Sequence, residues 1–161
     1  MATSTLVGEH VITREMGRAM TGMPAVVKVP DATFDGRLFM FEANMPPGHV
    51  IPPHTHTHED ELTIVLEGEL SVELGGERTV ARTGWIVLKP RGIQHSIGNH
   101  SDSLVRVLEL HLPGRLEPYY EQLGKLFVAE GLDPAERARA VNELATRYGV
   151  TFAAPPGAPK R

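Results

Sequence analysis

The chain has 161 residues, a formal net charge of -4 and no cysteine. That length suits one domain with a real core, and 41% hydrophobic with 22% charged residues marks a globular chain. Zero cysteine excludes disulfides, thiolate metal ligands and cysteine nucleophiles, and a mildly acidic balance without a long basic block leaves no electrostatic footprint for nucleic acid.

The opening stretch MATSTLVGEHVITREMGRAM is broken by Glu9, His10 and Arg14, so it lacks the uninterrupted apolar run of a signal peptide. No segment approaches the roughly 18 apolar residues that span a bilayer. A cytoplasmic protein with no membrane partner is the expectation, with residues 1–25 as an N-terminal arm or edge strand.

Residues 26–112 read as a β-domain. The expected strands are AVVKV (25–29), RLFMFEANM (37–45), ELTIVLEG (61–68), ELSVELG (69–75), ERTVA (77–81), WIVLK (85–89), HSIGN (95–99) and LVRVLELHL (104–112). Pro46-Pro47-Gly48, Pro52-Pro53, Gly75-Gly76, Thr83-Gly84 and Pro90-Arg91-Gly92 read as turns between them. Eight short strands at this spacing suggest a sandwich, jelly roll or barrel. ELSVEL and ERTVA form the clearest hairpin, because Gly75-Gly76 supplies the positive φ of a tight turn.

After Pro113-Gly114 the pattern becomes helical through residue 150. Tyr119, Leu123, Leu126 and Phe127 recur near the helical period. A second helix opens on Asp133 as N-cap with Pro134 and Glu136 behind it, and Gly149 ends it. Arg137, Arg139 and Arg147 could be read as nucleic-acid contacts, but the stripe of Ala138, Val141, Ala145 and Tyr148 more simply packs this helix onto the β-domain. Residues 151–161 read as a disordered tail.

The chemistry concentrates in HTHTHEDE, from His54 to Glu61. On a strand, alternate side chains share a face, so His54, His56 and His58 could converge while Thr55, Thr57 and Glu59 face away. A polar loop could also collect histidines without chemistry. Any metal here must be held by His, Asp, Glu or water, a set that suits Fe, Mn, Ni, Cu or Zn without choosing among them.

Counting outward resolves the cluster. Gly48 is followed after five residues by His54, after one by His56, after four by Glu61 and after six by Gly68. A second block runs Gly84, five residues, Pro90, one, Gly92, two, His95, three, Asn99. Both spacings match the two signature motifs of the cupin superfamily, and the chain resembles the small single-domain, quercetinase-like bacterial cupins. The resemblance implies an all-β, single-domain jelly-roll barrel with two C-terminal helices packed outside. It also implies one divalent transition metal held by His54, His56, Glu61 and His95. His58 fits no motif position and falls in a turn with Glu59 and Asp60, either of which could hydrogen-bond a ligating imidazole. Phe39, Phe41, Met45, Thr63, Val65, Trp85, Ile97 and His111 are the expected pocket wall, with no basic residue evident inside.

Four protein donors on an octahedral ion leave two positions, enough for a chelating substrate or for O2 beside it. The expected function is a dioxygenase acting on a small enolic or aromatic, flavonol-like substrate, with Glu61 as the catalytic base as well as a ligand. A non-oxidative isomerase, cyclase or lyase using the metal as Lewis acid, and a non-catalytic small-molecule binder, are the alternatives. A homodimer is expected.

Overall fold

The computed structural model describes residues 10–153, so the first part of the expected arm and the end of the expected tail lie outside the described residues. In chain order the strands are β1 (Arg18–Ala19), β2 (Ala25–Val29), β3 (Phe39–Met45), β4 (Val50–His56), β5 (Asp60–Glu67), β6 (Glu69–Leu74), β7 (Glu77–Arg82), β8 (Ile86–Lys89), β9 (His95–Gly98) and β10 (Val105–Leu112). Helices α1 (Glu117–Val128) and α2 (Pro134–Arg147) follow, then β11 (Val150–Phe152). A six-stranded sheet runs β1-β2-β3-β10-β5-β8 and a five-stranded one β11-β4-β9-β6-β7, all neighbours antiparallel. This is the expected all-β jelly roll.

Period-two alternation sends one face of each strand between the sheets. At one end of the barrel that interior is apolar: Met45, Val65, Leu70, Val72, Ala81, Ile97, Val105 and Val107 form one cluster. Each of these side chains apart from Ala81 contributes about 1.5–3 kcal/mol through burial. The same strands carry polar inward residues at their other ends, where Glu61 lies near the start of β5 and Glu109 and His111 near the end of β10. Gly68, at φ +86, makes the sharp turn from β5 into β6, where a Cβ would press on Val105 and the carbonyl of Leu104.

Two sequence expectations need correction. Pro52 and Pro53 lie within β4 and do not turn the chain. The β4–β9 pairing skips between Ile51 and His54, and that irregularity accommodates prolines that cannot donate to a ladder. The expected disordered tail was to begin at residue 151, yet Val150, Thr151 and Phe152 form β11 on the free edge of β4. β-branched and aromatic residues suit that edge strand, and its pairing covers the strand that bears two histidines.

The second helix forms as its capping signals dictate. The Asp133 side chain accepts from the backbone N–H groups of Ala135 and Glu136, and Glu136 accepts in return from the Asp133 N–H. Val141, Leu144 and Ala145 of α2 pack with Leu116, Tyr119 and Leu123 and with Val150 of β11. In α1, Gly124 lies so close to the chain at Thr21 that a Cβ would fall 1.9 Å from the Thr21 carbonyl oxygen. That approach seats α1 across the end of β2 and β3, where Tyr120 packs with Phe39 and Phe41. No helix among the described residues is long and apolar enough to cross a membrane.

Candidate metal centre

Four side chains from three strands meet at the polar end of the barrel. His54 and His56 are alternate residues of β4, Glu61 is the second residue of β5, and His95 opens β9 opposite His54. One ligand atom from each lies within 4.8 Å of all the others, and all four residues are buried. His58, two residues past His56, lies beyond the end of β4 and is exposed. The end of β4 at His56 therefore separates His58 from the other two histidines of HTHTHEDE.

The backbone fixes two of the imidazoles. His54 Nδ1 lies 2.7 Å from the Pro52 carbonyl oxygen and His95 Nδ1 lies 3.0 Å from that of Ile93. A nitrogen beside a carbonyl must donate, so in the neutral imidazole each ring turns its Nε2 lone pair inward. Burial pushes His54 down to about 3, which keeps that ring neutral near pH 7.

His95 Nε2, which has no hydrogen-bond partner, then faces Glu61 Oε2 at 2.8 Å. His56 Nε2 is equally unpartnered, 3.5 Å from Glu61 Oε1. With the ring neutral, two lone pairs opposed at 2.8 Å in a dry interior repel unless a cation bridges them. The donor set therefore fits a divalent ion on grounds of orientation as well as composition, and its mix of three imidazoles and one carboxylate leaves the metal's identity open.

Around these ligands lies a second buried polar group. Lys89, across the β5–β8 pair from Glu61, places Nζ 3.1 Å from Glu61 Oε2 and 3.0 Å from Glu109 Oε2. Thr63 donates to the other Glu109 oxygen at 2.8 Å. His111 Nε2 approaches Glu61 Oε1 to 2.5 Å, and the Tyr120 hydroxyl of α1 lies 3.1 Å from the same nitrogen. Burial alone would raise the Glu61 carboxyl, but Lys89, His56 and His111 together outweigh it and hold the group well below the usual carboxylate range. Burial likewise opposes the Lys89 ammonium, and the attraction of Glu109 and Glu61 overcomes it and raises the lysine above its ordinary value.

The expected pocket wall divides into groups. Thr63 and His111 join the polar set, while Phe39 and Phe41 lie beside His111 with ring centroids 5.8 and 5.7 Å away. Met45, Val65 and Ile97 belong to the apolar cluster at the barrel's other end. Trp85 is a correction: it is 51% exposed, because it sits in the turn before β8 and contributes no inward strand position. The expectation of no basic residue inside also fails, since Lys89 is 3% exposed between Glu61 and Glu109. Parity along WIVLK carried that signal, because Lys89 alternates with the outward Ile86 and Leu88.

The turn acids separate too. Glu59 is buried and brings Oε2 within 3.7 Å of His56 Nδ1. Asp60 instead turns outward and accepts from the Arg91 backbone N–H and guanidinium. Tyr120 was missed altogether, since a residue on a helix after the barrel gives no local sign that it reaches the interior.

The profile of the cupin domain family matches residues 41–111, a span that includes every residue of the candidate centre. With the two-sheet barrel and both histidine motifs in place, residues 41–111 carry the cupin domain pattern. A germin-like protein of Arabidopsis thaliana (subfamily 2 member 2) is 35% identical over 115 residues, covering 65% of this chain and 50% of that one. The chain spans about half the length of the curated relatives it matches. Among solved structures, a predicted oxalate decarboxylase from Thermotoga maritima superposes with a TM-score of 0.56 at 17% identity, over 63% of this chain and 96% of that one. A Cupin 2 conserved barrel domain protein from Salinispora arenicola superposes with a TM-score of 0.51 at 21% identity, over 86% and 95% of the two chains. At these identities the superpositions establish the fold.

Proposed function

We propose that the protein is a metal-dependent enzyme acting on a small substrate that chelates the metal through two oxygens. The carrying observation is the buried cluster of His54, His56, Glu61 and His95, in which the Nε2 atoms of His56 and His95 have no hydrogen-bond partner. A divalent ion bound there supplies Lewis acidity and coordination positions beyond the protein's four donors. The chain's own groups supply the rest. Glu61 is kept ionised by Lys89 and stands ready to take an enolic proton at Oε1, where His111 Nε2 lies against it. Tyr120 and His111 close that side, and the aromatic pair Phe39 and Phe41 behind them suits a flat, unsaturated substrate.

Oxygen-dependent cleavage of an enolic or aromatic, flavonol-like compound is the reading we favour. The buried Lys89–Glu109 pair favours a second, non-oxidative reading in which fixed charges move protons or steady an oxyanion during isomerisation, cyclisation or lysis. Oxygen-electrode traces of the metal-loaded protein with flavonols, catechols and β-diketones decide between them. Substrate-dependent O2 uptake supports the first reading; turnover that persists without O2 transfers the assignment to the second. Metal content unchanged by His54→Ala and by His95→Ala would reject both.

We further propose a homodimer built on the outer face of the six-stranded sheet. Register aligns Met40, Leu110, Leu62 and Leu88 across β3, β10, β5 and β8, with Leu108, Ile64 and Ile86 in the next row. Ile86 and Leu88 are 58% and 60% exposed. The charges bordering these rows are already matched, with Arg106 paired to Glu42 and Glu67, so a second copy could cover the face without burying a lone ion. Light scattering should give twice the chain mass, falling to one chain in Leu88→Arg. A monomeric mass for the native protein would overturn the assignment.

A further inference from the structure

At the metal-bearing end of the barrel, the turn after β4, the segment after β10 and the end of α2 enclose a cleft of about 440 Å³. Its lining is His58, Glu59, Pro113, Arg115, Arg147 and Tyr148. Neither arginine makes a hydrogen bond or ion pair among the described residues, whereas Arg18, Arg78, Arg82, Arg91 and Arg106 each pair with a carboxylate. In a chain of net charge -4, two unmatched guanidiniums on one cleft are a local reversal of sign. Tyr148 adds a donor: its oxygen accepts from Gln122 Nε2 at 2.7 Å, which leaves its own O–H free to donate.

The cleft connects to the metal centre through Glu59. That side chain is 3% exposed, lines the cleft, and sends the otherwise unpartnered Oε2 toward His56 Nδ1. A molecule held on the arginines therefore sits one residue away from a metal-binding imidazole. We infer that this cleft binds a carboxylate of the substrate, with Arg115 and Arg147 as the anion-binding residues.

The charge count favours a carboxylate over a phosphate. Two guanidiniums against the Glu59 carboxylate leave one net positive charge, which one monoanion neutralises. A dianionic phosphoryl group would bring excess negative charge against Glu59. Guanidinium groups also pair with planar carboxylates in a two-point geometry that a neutral amide cannot reproduce.

This assignment rests on the proposed metal enzyme for its biological meaning, but its test does not. Calorimetric titration of the full chain, metal-free and Mn(II)-loaded, would compare benzoate, its neutral isostere benzamide and phenyl phosphate. Benzoate should bind at least about tenfold more tightly than benzamide in both forms, and phenyl phosphate no more tightly than benzoate. The Arg115→Gln/Arg147→Gln double variant should lose that preference, while Arg147→Lys keeps part of it. Both arginines are exposed and unpaired, so the double variant should keep the native melting temperature and metal content. No benzoate binding, equal binding of benzoate and benzamide, or an unchanged preference in the double variant would overturn the inference. Tighter binding of phenyl phosphate would overturn the carboxylate assignment. Loss of the metal enzyme reading would appear separately, as a protein that prefers benzoate yet takes up no metal.

Discussion

The two sheets contribute to the centre in different ways. The five-stranded sheet supplies all three imidazoles, from β4 and β9, and holds two of them through carbonyl oxygens of their own strand approaches, at Pro52 and Ile93. The six-stranded sheet supplies the single carboxylate, from β5, and holds it through side-chain charge: Lys89 of β8 and His111 of β10, with Glu109 and Thr63 behind. One half is set by backbone geometry and carries the imidazoles. The other is set by a buried ion network and carries the charge. The difference implies that metal affinity depends most on the first sheet, and that folding stability near the site depends most on the second.

The largest effect should come from breaking the imidazole side. Structural zinc sites bind with about 10–16 kcal/mol over four ligands, so loss of one ligand should cost on the order of 4 kcal/mol, or about 1000-fold in affinity. His95→Ala should show that loss in a competition titration against a chelating indicator. His58→Ala should leave affinity unchanged, since that ring is exposed beyond the strand. Equal losses in the two variants would erase the distinction between strand and turn.

The charged side should fail differently. Lys89→Met leaves Glu109 and Glu61 buried without their ammonium, and removing one partner of a buried pair typically costs about 3–5 kcal/mol. Urea unfolding of the metal-free protein should show a loss of about 3 kcal/mol. In Lys89→Met/Glu109→Leu, where no Glu109 carboxylate remains to be stranded, most of it should return. A double variant as unstable as the sum of its singles would mean that the pair does not act as a unit.

This division also explains what the sequence revealed. The ligands were legible because a strand of period two, a turn and two glycine-bounded motifs fix His54, His56, Glu61 and His95 at definite spacings. Lys89 and Glu109 were half legible: parity puts each on an inward face, but their pairing needs the register Glu61 opposite Lys89, which depends on strand order. Tyr120 and the β11 cover on β4 were not legible, because both are contacts from the chain's last third onto strands far earlier in sequence. Trp85 misled for the opposite reason, since an aromatic residue next to a strand invites burial while the turn at Gly84 holds it outward.

Acid should act on the imidazole half first. His54 is held down to about 3 by burial, while its unfolded counterpart titrates near 6.5. Between those values the unfolded chain binds the extra proton, so stability falls as pH falls, by up to about 1.4 kcal/mol per pH unit. Metal-free protein should lose stability steadily from about pH 6.5 downward, and His54→Gln should show a shallower decline by urea midpoint. Parallel slopes would remove His54 as the source.

The smallest expected effect lies where the two halves are tied together at the surface. Asp60 opens β5 of the six-stranded sheet and accepts from Arg91, in the loop that leads to His95 of the five-stranded one. Hydrogen bonds from the Arg91 side chain and backbone hold the Asp60 carboxyl down to about 2. A depressed carboxylate stabilises above its unfolded value near 3.9, and its contribution disappears as pH falls through the folded one. Asp60→Asn should therefore lower the melting temperature slightly at neutral pH, because exposed pairs contribute little and asparagine still accepts from the Arg91 N–H. The gap between native and variant should stay constant from about pH 7 to 5 and narrow below about pH 4. A gap that widened on acidification would mean that the clip acts through the neutral acid, and that the charged pairing of Asp60 with Arg91 does not join the two halves of the site.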